Sequence, residues 1–508
     1  MAGTFNSTGG PTQTVPGAGK MLALLFVINL VTYIDRYVLS AVLSKIQLDA
    51  TLFEPTDPLL QTKLGSLTSA FMAAYMCFSP VFAWAGDYTK RWWLLGIGVI
   101  LWSIASGMTG WAGSFAVLFL TRCFVGVGEA AYGPVAPAMI SDLYPVEKRG
   151  RVMSIFYLAI PVGSALGFVL GGQLAGIFGW RRTFEFTFLG ILLGLVCFAM
   201  KEPPRAGGEK PIRVPIGKLL PELWSIRSFV LGVLGMTLTT FILGGVATWV
   251  PTYIFQKEST FALSSDVVKK LAESDEFKTS DGRPVVPIEI KDKLEAIAFS
   301  EPVMFQENKK RLGDAMSKEA MSQYGEVIVK ASTTPGSMTA GGISTIFGAI
   351  TVVGGLLATM AGGWFGDWLR SRGVSGAYFH AAGWSTIAAW PFFVVMLFCP
   401  FPWAWGLMFI SIFLLFFNTG PANTILANVT RSPIRAGGFA VCIFVIHALG
   451  DAISPMLIGL IADYSSLQLA FTVCSIFILL GGSVWVMGAR HLDADTQRAE
   501  QQSPESDR

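Results

Sequence analysis

Charged residues are scarce in this sequence, and their scarcity restricts the class of protein. Only 14% of the 508 residues are Asp, Glu, Lys or Arg, whereas 52% are hydrophobic. Soluble domains usually carry about 25% charged residues. The composition therefore predicts a membrane protein, and a net charge of +3 is too small to indicate a nucleic-acid partner.

Paired cysteines, alternating strands and catalytic motifs are lacking as well. The six cysteines lie in or beside apolar segments without paired spacing, which predicts free thiols that pack as small apolar groups. No run alternates polarity in the way of a membrane barrel. The segment "HALGD" (447–451) matches a short His-x-x-x-Asp pattern, but no nucleophile or oxyanion motif accompanies it. We therefore expect no enzyme activity, no metal and no cofactor.

Long apolar runs are what the sequence does contain. A hydrocarbon core of about 30 Å needs about 20 apolar residues in a helix. About twelve such runs predict an all-α membrane protein with twelve transmembrane helices. Their approximate bounds are 21–45, 64–86, 93–112, 115–141, 151–177, 182–200, 228–255, 338–366, 376–399, 402–428, 436–461 and 467–488. No cleavable signal peptide is evident, so we expect the first run to stay attached.

The distribution of Lys and Arg predicts the orientation. Basic residues collect in alternate connections and are few in the others, apart from Arg181 and Arg182, so the positive-inside rule places both termini in the cytoplasm. The compact termini favour a plasma or inner membrane. The basic connections hold Lys90 and Arg91; Lys148, Arg149 and Arg151; the segment 201–227; Arg370 and Arg372; and Arg431 and Arg435.

The two halves of the sequence resemble each other. "WAGDYTKR" after the second run is matched by "WFGDWLRSR" after the eighth, and "YPVEKRGRVMS" before the fifth by "SPIRAGGFAV" before the eleventh. Two parallel six-helix repeats are the arrangement of major facilitator transporters, with the substrate site near the midplane between the halves. The predicted divisions are a tail 1–20, a first half 21–200, a linker 201–227, helix 7 at 228–256, an insertion 257–335, helices 8–12 at 336–488 and a tail 489–508.

The insertion 257–335 breaks the apolar pattern. It is rich in charge of both signs, and stretches such as "SDVVKKLAE" and "NKKRLGDAMSKEAMSQY" indicate surface helices. The topology places it outside the cell. The alternative is a poorly ordered linker.

Four ionisable residues within apolar runs are the strongest functional candidates. Charges inside a bilayer are costly and usually face a partner or a hydrated cavity. Asp35 and Arg122 should reach similar depth and could pair, and Arg122 and Glu129, seven apart, share one helix face. With Arg36 they form a charged ladder suited to proton coupling, because displacing an Arg or wetting the cavity changes whether a carboxylate holds a proton. The alternative is a fixed buried network that stabilises helix packing.

Two further groups are predicted. Asp87 and Asp367 each follow a glycine at a helix end, so we expect a gating or structural role there. In the second half, His447 and Asp451 are four apart and could share a helix face. The alternative for His447 is a hydrogen-bonded packing residue. The gating set is Gly86, Asp87, Arg91, Asp367 and Arg370, and the substrate set is Arg122, Glu129, Tyr33, Tyr157, Thr240, Trp249, Asn418, Asn423 and His447.

Several segments resemble the spinster family of the major facilitator superfamily. They are "YIDRYVLSAVL", "SAFMAAYMCFSPVFAWAGDYTKRWWLLGIGVILWS" and "LTRCFVGVGEAAYGPVAPAMISDLYPVEKRGRVMSIFYLAIPVGSALGFVLGG". The resemblance implies a transporter of lysolipids, either lysophospholipids or sphingosine-1-phosphate, coupled to protons in some members. It places the family's first-helix pair on Asp35 and Arg36, its fourth-helix pair on Arg122 and Glu129, and the superfamily's Gly-Asp signature on Gly86 and Asp87. The insertion is a departure from the family.

The expected function is therefore secondary active transport of an amphiphile by alternating access. Charges in the first half suit a headgroup, and the aliphatic and aromatic runs of the second half suit a tail. The expected partners are an amphiphilic lipid, protons and membrane lipids, and we expect a monomer. One alternative is a proton-coupled transporter of small organic anions or drugs. Another is a non-transporting sensor whose ligand module is the insertion.

Overall fold

The computed structural model describes residues 14–54, 57–203, 215–274, 277 and 285–501. Within them, 12 helices are long and apolar enough to cross a membrane, which confirms the predicted all-α membrane fold. We number them helix 1 to helix 12 in chain order. They span Ala18–Ile46, Leu60–Gly86, Arg91–Thr109, Phe115–Leu143, Arg151–Phe178, Trp180–Ala199, Arg227–Glu258, Ala340–Ser371, Ala377–Phe398, Trp403–Val429, Gly437–Asp463 and Leu467–Gly488.

Several of these spans are built from shorter helical segments. Helix 4 divides into Phe115–Ala130 and Val135–Leu143 at the turn before Pro134, because proline lacks the amide hydrogen that would continue the ladder. Helix 11 carries a π-helical turn, His447–Asp451, followed by Ser454–Asp463. Helix 5 comprises the later part of Val146–Tyr157 and the whole of Ala159–Phe178, and helix 6 comprises Trp180–Glu185, the 3-10 turn Phe186–Leu189 and Gly190–Ala199. Helix 10 comprises Trp403–Phe416 and Thr419–Val429, and helix 12 comprises Leu467–Cys474 and Ile476–Gly488. The segment Ser432–Ile446 precedes the π-helical turn of helix 11.

Glycines set the close crossing of helices 1 and 5. A Cβ on Gly163 would lie 2.7 Å from the Tyr33 Cβ, and one on Gly167 would lie 2.5 Å from the Ile34 carbonyl oxygen. Membrane helices associate through such small residues because lipid offers no hydrophobic drive for packing. The crossing fixes helix 1 on helix 5 and thereby fixes the direction in which Asp35 and Arg36 project.

The insertion folds on the end of the helix bundle. Strands β1 (Thr260–Leu263) and β2 (Phe299–Met304) pair antiparallel, and the helices around them are Ser265–Glu273, Ile288–Ala296, Phe305–Ala315 and Lys318–Ser332. Phe255 at the end of helix 7 packs against Phe261 and Phe305, with ring centroids 6.0 and 5.1 Å away. These aromatic contacts join the insertion to the bundle. We call this end of the molecule the insertion side, and the end at which helix 1 begins and helix 12 ends the terminal side.

Two short helices lie outside the spans at the terminal side. Ile216–Ser225 precedes helix 7, and its Glu222 carboxylate forms an ion pair with Arg431. Leu492–Gln501 follows helix 12, and the Asp495 carboxylate accepts a hydrogen bond from the Ser228 amide. Both helices therefore dock on the second half.

The two six-helix halves contact each other on the insertion side. The Asp463 carboxylate at the end of helix 11 accepts hydrogen bonds from the Gln61 and Thr62 amides at the start of helix 2. Gln173 of helix 5 donates to Thr345 of helix 8. A Cβ on Gly65 would lie 2.2 Å from the Pro455 carbonyl oxygen, so helices 2 and 11 touch through backbone there.

The insertion adds a further connection between the halves. The Lys45 ammonium group, at the insertion-side end of helix 1, lies 2.5 Å from the Glu326 carboxylate of the insertion. The same ammonium group donates to the Ala175 carbonyl of helix 5. The insertion lies between helices 7 and 8 of the second half, and this ion pair connects it to the first half.

Candidate functional site

Helix 1 carries two adjacent charges into the first half, and they take different partners. Consecutive residues of an α-helix point about 100° apart. Asp35, which is buried, faces helix 3, whereas the Arg36 guanidinium faces helices 2 and 4. The ladder predicted from sequence is thus two separate sets of contacts.

The first set is an ion pair inside an aromatic cage. Arg36 Nε lies 2.6 Å from Glu129 Oε2, and the Glu129 side chain is fully buried. Around the guanidinium, the ring centroids of Tyr33, Phe71 and Tyr75 lie 4.9, 5.1 and 5.0 Å from the Arg36 Cζ. Cation–π contacts contribute about 0.5–1 kcal/mol each at exposed sites and about 2 kcal/mol where water is excluded.

The second set joins Asp35 to Arg122 through hydroxyl groups. The Ser106 hydroxyl donates to Asp35 Oδ1, and Arg122 Nη2 lies 3.4 Å from Ser106 Oγ and 2.6 Å from Thr109 Oγ1. Arg122 also lies over the Phe184 ring, 5.3 Å from its centroid. The direct Asp35–Arg122 pairing considered from sequence is not among the ion pairs of the described residues, because helix 3 places Ser106 between the two side chains.

Three buried polar atoms of these sets have no hydrogen-bond partner among the described residues. They are Asp35 Oδ2, Arg122 Nε and Glu129 Oε1. An unpaired atom of this kind costs about 1–3 kcal/mol, more where the group is charged. The site therefore retains capacity to bind a proton, a water molecule or a polar group of a ligand.

Sequence reasoning missed the hydroxyl and aromatic members of the site. Ser106 and Thr109 lie three apart in the apolar helix 3, and Phe71 and Tyr75 lie four apart in helix 2. Each spacing places both side chains on one helix face. That spacing was the available signal, although it does not show which face meets helix 1.

The second half holds a separate pair, His447 and Asp451. His447 Nδ1 lies 2.9 and 3.0 Å from the two Asp451 carboxylate oxygens within the π-helical turn of helix 11. A π-turn is rare and is often found at functional positions. The turn packs on helix 7, where a Cβ on Gly450 would lie 3.2 Å from the Thr240 Cβ and one on Gly244 would lie 2.5 Å from the Asp451 Cβ.

The other predicted substrate residues differ in accessibility. Trp249 is fully buried, and its indole nitrogen donates to the Pro455 carbonyl, so it has a packing role in this conformation. Asn418 is buried and donates to Leu415, and Asn423 is exposed and donates to Thr419. Tyr157 is 46% exposed. Thus Tyr157 and Asn423 have surface available to a ligand, and Trp249 does not.

The predicted gating residues form contacts at the terminal side. Arg91 at the start of helix 3 lies 2.6 Å from the Asp142 carboxylate at the end of helix 4 and 3.4 Å from that of Glu202. The Asp367 carboxylate accepts a hydrogen bond from Tyr378 of helix 9 at 2.7 Å, and Arg370 interacts with the same tyrosine.

On the helix 2 side of this region, Gly86 is buried, and a Cβ there would lie 3.1 Å from a Val135 methyl carbon. The side chain of Asp87 lies outside the part of the chain that the structure describes. Each described contact links neighbouring helices within one half.

A row of phenylalanines lies in the second half. Phe413 packs against Phe409 and Phe417, with centroids 6.4 and 5.9 Å away, and Phe365 of helix 8 lies 5.9 Å from Phe417. All four are only half-buried. Their rings form an apolar surface in the second half, whereas the first half holds the buried charged side chains. No group of three or more His, Cys, Asp or Glu side chains in the described ranges could hold a metal ion.

Comparison with known proteins places the sequence among membrane transporters. A family model described as Major Facilitator Superfamily matches residues 25–267. Protein spinster homolog 1 of Homo sapiens is 30% identical, covering 96% of this chain and 84% of that protein. Protein spinster homolog 3 of Danio rerio is 28% identical over 94% of this chain and 86% of that protein.

Solved structures show the same fold. A bacterial homolog of the human lysosomal transporter spinster, inward-facing and unoccupied, superposes with a TM-score of 0.69 at 18% identity, covering 94% of this chain and 98% of the other. A D-xylose-proton symporter gives a TM-score of 0.59 at 13% identity, covering 92% and 97%.

Proposed function

Because the chain belongs to the spinster family of the major facilitator superfamily, we propose that it transports lysolipids by alternating access, with protons coupled through Asp35, Arg36, Arg122 and Glu129. Family membership makes it a multi-pass membrane transporter and not an enzyme. The amphiphile class is a lysophospholipid or sphingosine-1-phosphate. We further propose a plasma or inner membrane and cytoplasmic termini, as the basic connections indicate.

The observation that carries the proposal is the buried pair of Arg36 and Glu129 in its aromatic cage. Glu129 has one oxygen on Arg36 and one without a partner in the described part of the chain, so protonation and ion pairing compete for the same carboxylate. An anionic headgroup that binds the guanidinium would weaken the ion pair and favour protonation of Glu129. Headgroup binding and proton uptake are coupled in this way.

The two arginines differ in their access to a headgroup. The Arg36 side chain is 14% exposed, whereas Arg122 is 2% exposed and lies behind Ser106 and Thr109. Arg36 is therefore the first contact in this conformation. Arg122 is held by neutral hydroxyls and would receive the headgroup once the helices move. Guanidinium suits this task because it binds phosphate or carboxylate through two parallel hydrogen bonds.

The contacts between the halves support alternating access. They join helices 2 and 11 and helices 5 and 8 on the insertion side, while the described terminal-side contacts of Arg91 and Asp367 stay within one half. This arrangement corresponds to a transporter that is closed on the insertion side. The half-buried phenylalanine row of helices 8 and 10 offers an apolar surface for the acyl tail.

The test is a flux assay in proteoliposomes with the purified full chain. Labelled lysophospholipid and sphingosine-1-phosphate should be transported and accelerated by a pH gradient, and small organic anions should not. Arg122→Ala should lose lysolipid transport while keeping its elution profile on size exclusion, with Arg182→Ala, an exposed arginine, as matched control. Faster flux of small organic anions than of lysolipids would show that the substrates are small anions and not lysolipids. An Arg122→Ala variant that fails to fold would assign Arg122 to packing.

A further inference from the structure

A polar pocket lies on the insertion side, away from the charged set of the first half. It encloses about 430 Å³ and lies where three parts of the chain meet. The connection before helix 2 and the first turn of that helix contribute Asp57 and Gln61, and the end of helix 11 and start of helix 12 contribute Asp463 and Leu467. Helix Phe305–Ala315 of the insertion contributes Lys309 and Lys310.

Lys309 is the unusual residue of this pocket. It is 9% exposed, and it has no hydrogen-bond or ion-pair partner among the described residues. Burying an ammonium group without a partner is costly, so such a group normally has a counter-charge. Lys309 thus lines the pocket as a largely buried cation whose ammonium nitrogen retains some solvent access and forms no hydrogen bond with the described residues.

The carboxylates nearby are already engaged or lie at the rim. Asp57 forms an ion pair with Lys63 at 2.5 Å, and Asp463 accepts hydrogen bonds from two backbone amides and the Thr62 hydroxyl. Asp314 is exposed. Asp57 is close enough to raise the pKa of Lys309, but its two carboxylate oxygens are already engaged by Lys63 and the Leu59 amide.

We propose that this pocket binds a small oxyanion or the anionic headgroup of a lipid, with Lys309 as its principal ligand and Lys310 as a second cation at the rim. The proposal concerns a second site, distinct from the transport pathway. The anion completes the shell of hydrogen bonds that Lys309 lacks. Gln306, which also lines the pocket, supplies an amide donor at its wall, whereas the Gln256 side-chain nitrogen, also in the lining, already donates to Gln47 Oε1.

The pocket exists only while the halves are closed on the insertion side. Its walls come from the first half, the second half and the insertion, and separating helices 2 and 11 would divide them. A ligand that binds one conformation better than another shifts the population towards it. Anion binding therefore stabilises the arrangement in which the insertion side is closed.

The pocket also gives the anion affinity a pH dependence. Burial lowers the pKa of Lys309 to about 8, although Asp57 opposes the shift. The charged groups that line the pocket with Lys309 are Lys310 and Asp314 from its own helix and Asp57 and Asp463 from the neighbouring elements, and Asp57 is the one that raises its pKa. Because only the charged ammonium group binds the anion, affinity should fall about tenfold from pH 7 to pH 9.

The test uses inorganic sulfate as probe, because sulfate does not titrate in this pH range. Binding to the purified full chain in neutral detergent is measured by isothermal titration calorimetry. Wild-type protein should bind sulfate, and Lys309→Met should weaken binding at least tenfold. Lys270→Met, which changes an exposed lysine elsewhere on the insertion, should bind as wild type. Lys309→Met removes a largely buried charge while keeping an unbranched side chain that is only one atom shorter, so the variant should fold.

A second variant tests whether sulfate binding requires the contact between the two halves. Gly65 does not line the pocket, but Gly65→Ala places a Cβ against the Pro455 carbonyl and separates helices 2 and 11. It should weaken sulfate binding, whereas Gly176→Ala, with open space around the new methyl group, should not.

The source of the anion is distinguished by repeating the titration in nanodiscs. Loss of sulfate binding in phosphatidylglycerol nanodiscs, with retention in phosphatidylcholine, identifies a lipid headgroup as the occupant. Retention in both identifies a free anion. No sulfate binding by wild-type protein, or equal binding by Lys309→Met, overturns the proposal. Since no transport is measured, these results are independent of the lysolipid assay.

Discussion

Arg36 and Glu129, from helices 1 and 4, form an ion pair with 2.6 Å between Nε and Oε2, and three aromatic rings enclose the guanidinium. The pair is a side-chain contact between two helices of the same half. Within the residues that the structure describes, it leaves the second Glu129 oxygen without a partner. The net charge of the pair therefore depends on whether Glu129 holds a proton and on whether an anionic group binds the Arg36 guanidinium.

Glu129→Gln should uncouple transport from the proton gradient. The amide keeps the shape of the carboxyl group but cannot release a proton, so lysolipid exchange without a gradient should persist. Accumulation driven by a pH gradient should fall from about tenfold per pH unit for each coupled proton to no accumulation. The measurement is labelled lysolipid uptake into proteoliposomes with an imposed pH gradient.

Glu185→Gln is the matched control for this substitution. Glu185 is a carboxylate of helix 6 that hydrogen-bonds Trp111 and lies outside the charged set. The Glu185→Gln variant should accumulate labelled lysolipid to the same level as the wild-type protein. Retention of full gradient-driven accumulation by Glu129→Gln would show that the proton is carried elsewhere, and His447 with Asp451 would be the next candidates.

Ser106→Ala should destabilise the protein, because Ser106 connects Asp35 to Arg122. The substitution removes a donor from Asp35 and an acceptor from Arg122, which leaves two buried charged groups with fewer hydrogen bonds. The expected loss is about 1–3 kcal/mol in the free energy of unfolding. Graded denaturant with tryptophan fluorescence measures it.

Ser103 of the same helix provides the comparison. Its hydroxyl is buried and has no hydrogen-bond partner in the described chain, so Ser103→Ala breaks no hydrogen bond and should leave stability nearly unchanged. Ser106→Thr keeps the hydroxyl and should restore most of the loss. Equal stability of Ser106→Ala and Ser103→Ala would mean that Ser106 contributes nothing as a bridge.

The apolar runs of the sequence were sufficient to predict the fold. Backbone groups in lipid must be satisfied within a helix, so run length and composition nearly determine each span. Asp35, Arg36, Arg122 and Glu129 were identifiable for the same reason, since charges within apolar runs are costly.

The partners of these charges were not predictable. Helical periodicity places Arg122 and Glu129 on one face, but it does not show that Arg36, and not Arg122, meets Glu129. That choice follows from how helix 1 crosses helix 5 at Gly163 and Gly167, which is a property of the tertiary structure. The role of Trp249 was not predictable for the same reason. Only the packing of helices 7 and 11 shows that its indole N–H donates to the Pro455 carbonyl and is not available to a ligand.

Gly65→Ala should shift the protein away from the conformation closed on the insertion side. The added Cβ would lie 2.2 Å from the Pro455 carbonyl oxygen, closer than real carbon atoms approach, so helix 2 must move from helix 11. Overpacking of this kind costs about 1–3 kcal/mol. The backbone amides of Gln61 and Thr62, which Asp463 holds in the closed form, should exchange hydrogen roughly 5- to 150-fold faster.

Hydrogen exchange with mass spectrometry of the peptide around residues 57–66 measures this change. Gly176→Ala, in helix 5, places a methyl group in open space and should leave the exchange of that peptide unchanged. Because both substitutions add one methyl group to a membrane helix, a difference between them reports the contact between the halves and not helix propensity. Unchanged exchange in Gly65→Ala would show that the helices adjust locally, and Asp463, not the glycine contact, would then hold the insertion side closed.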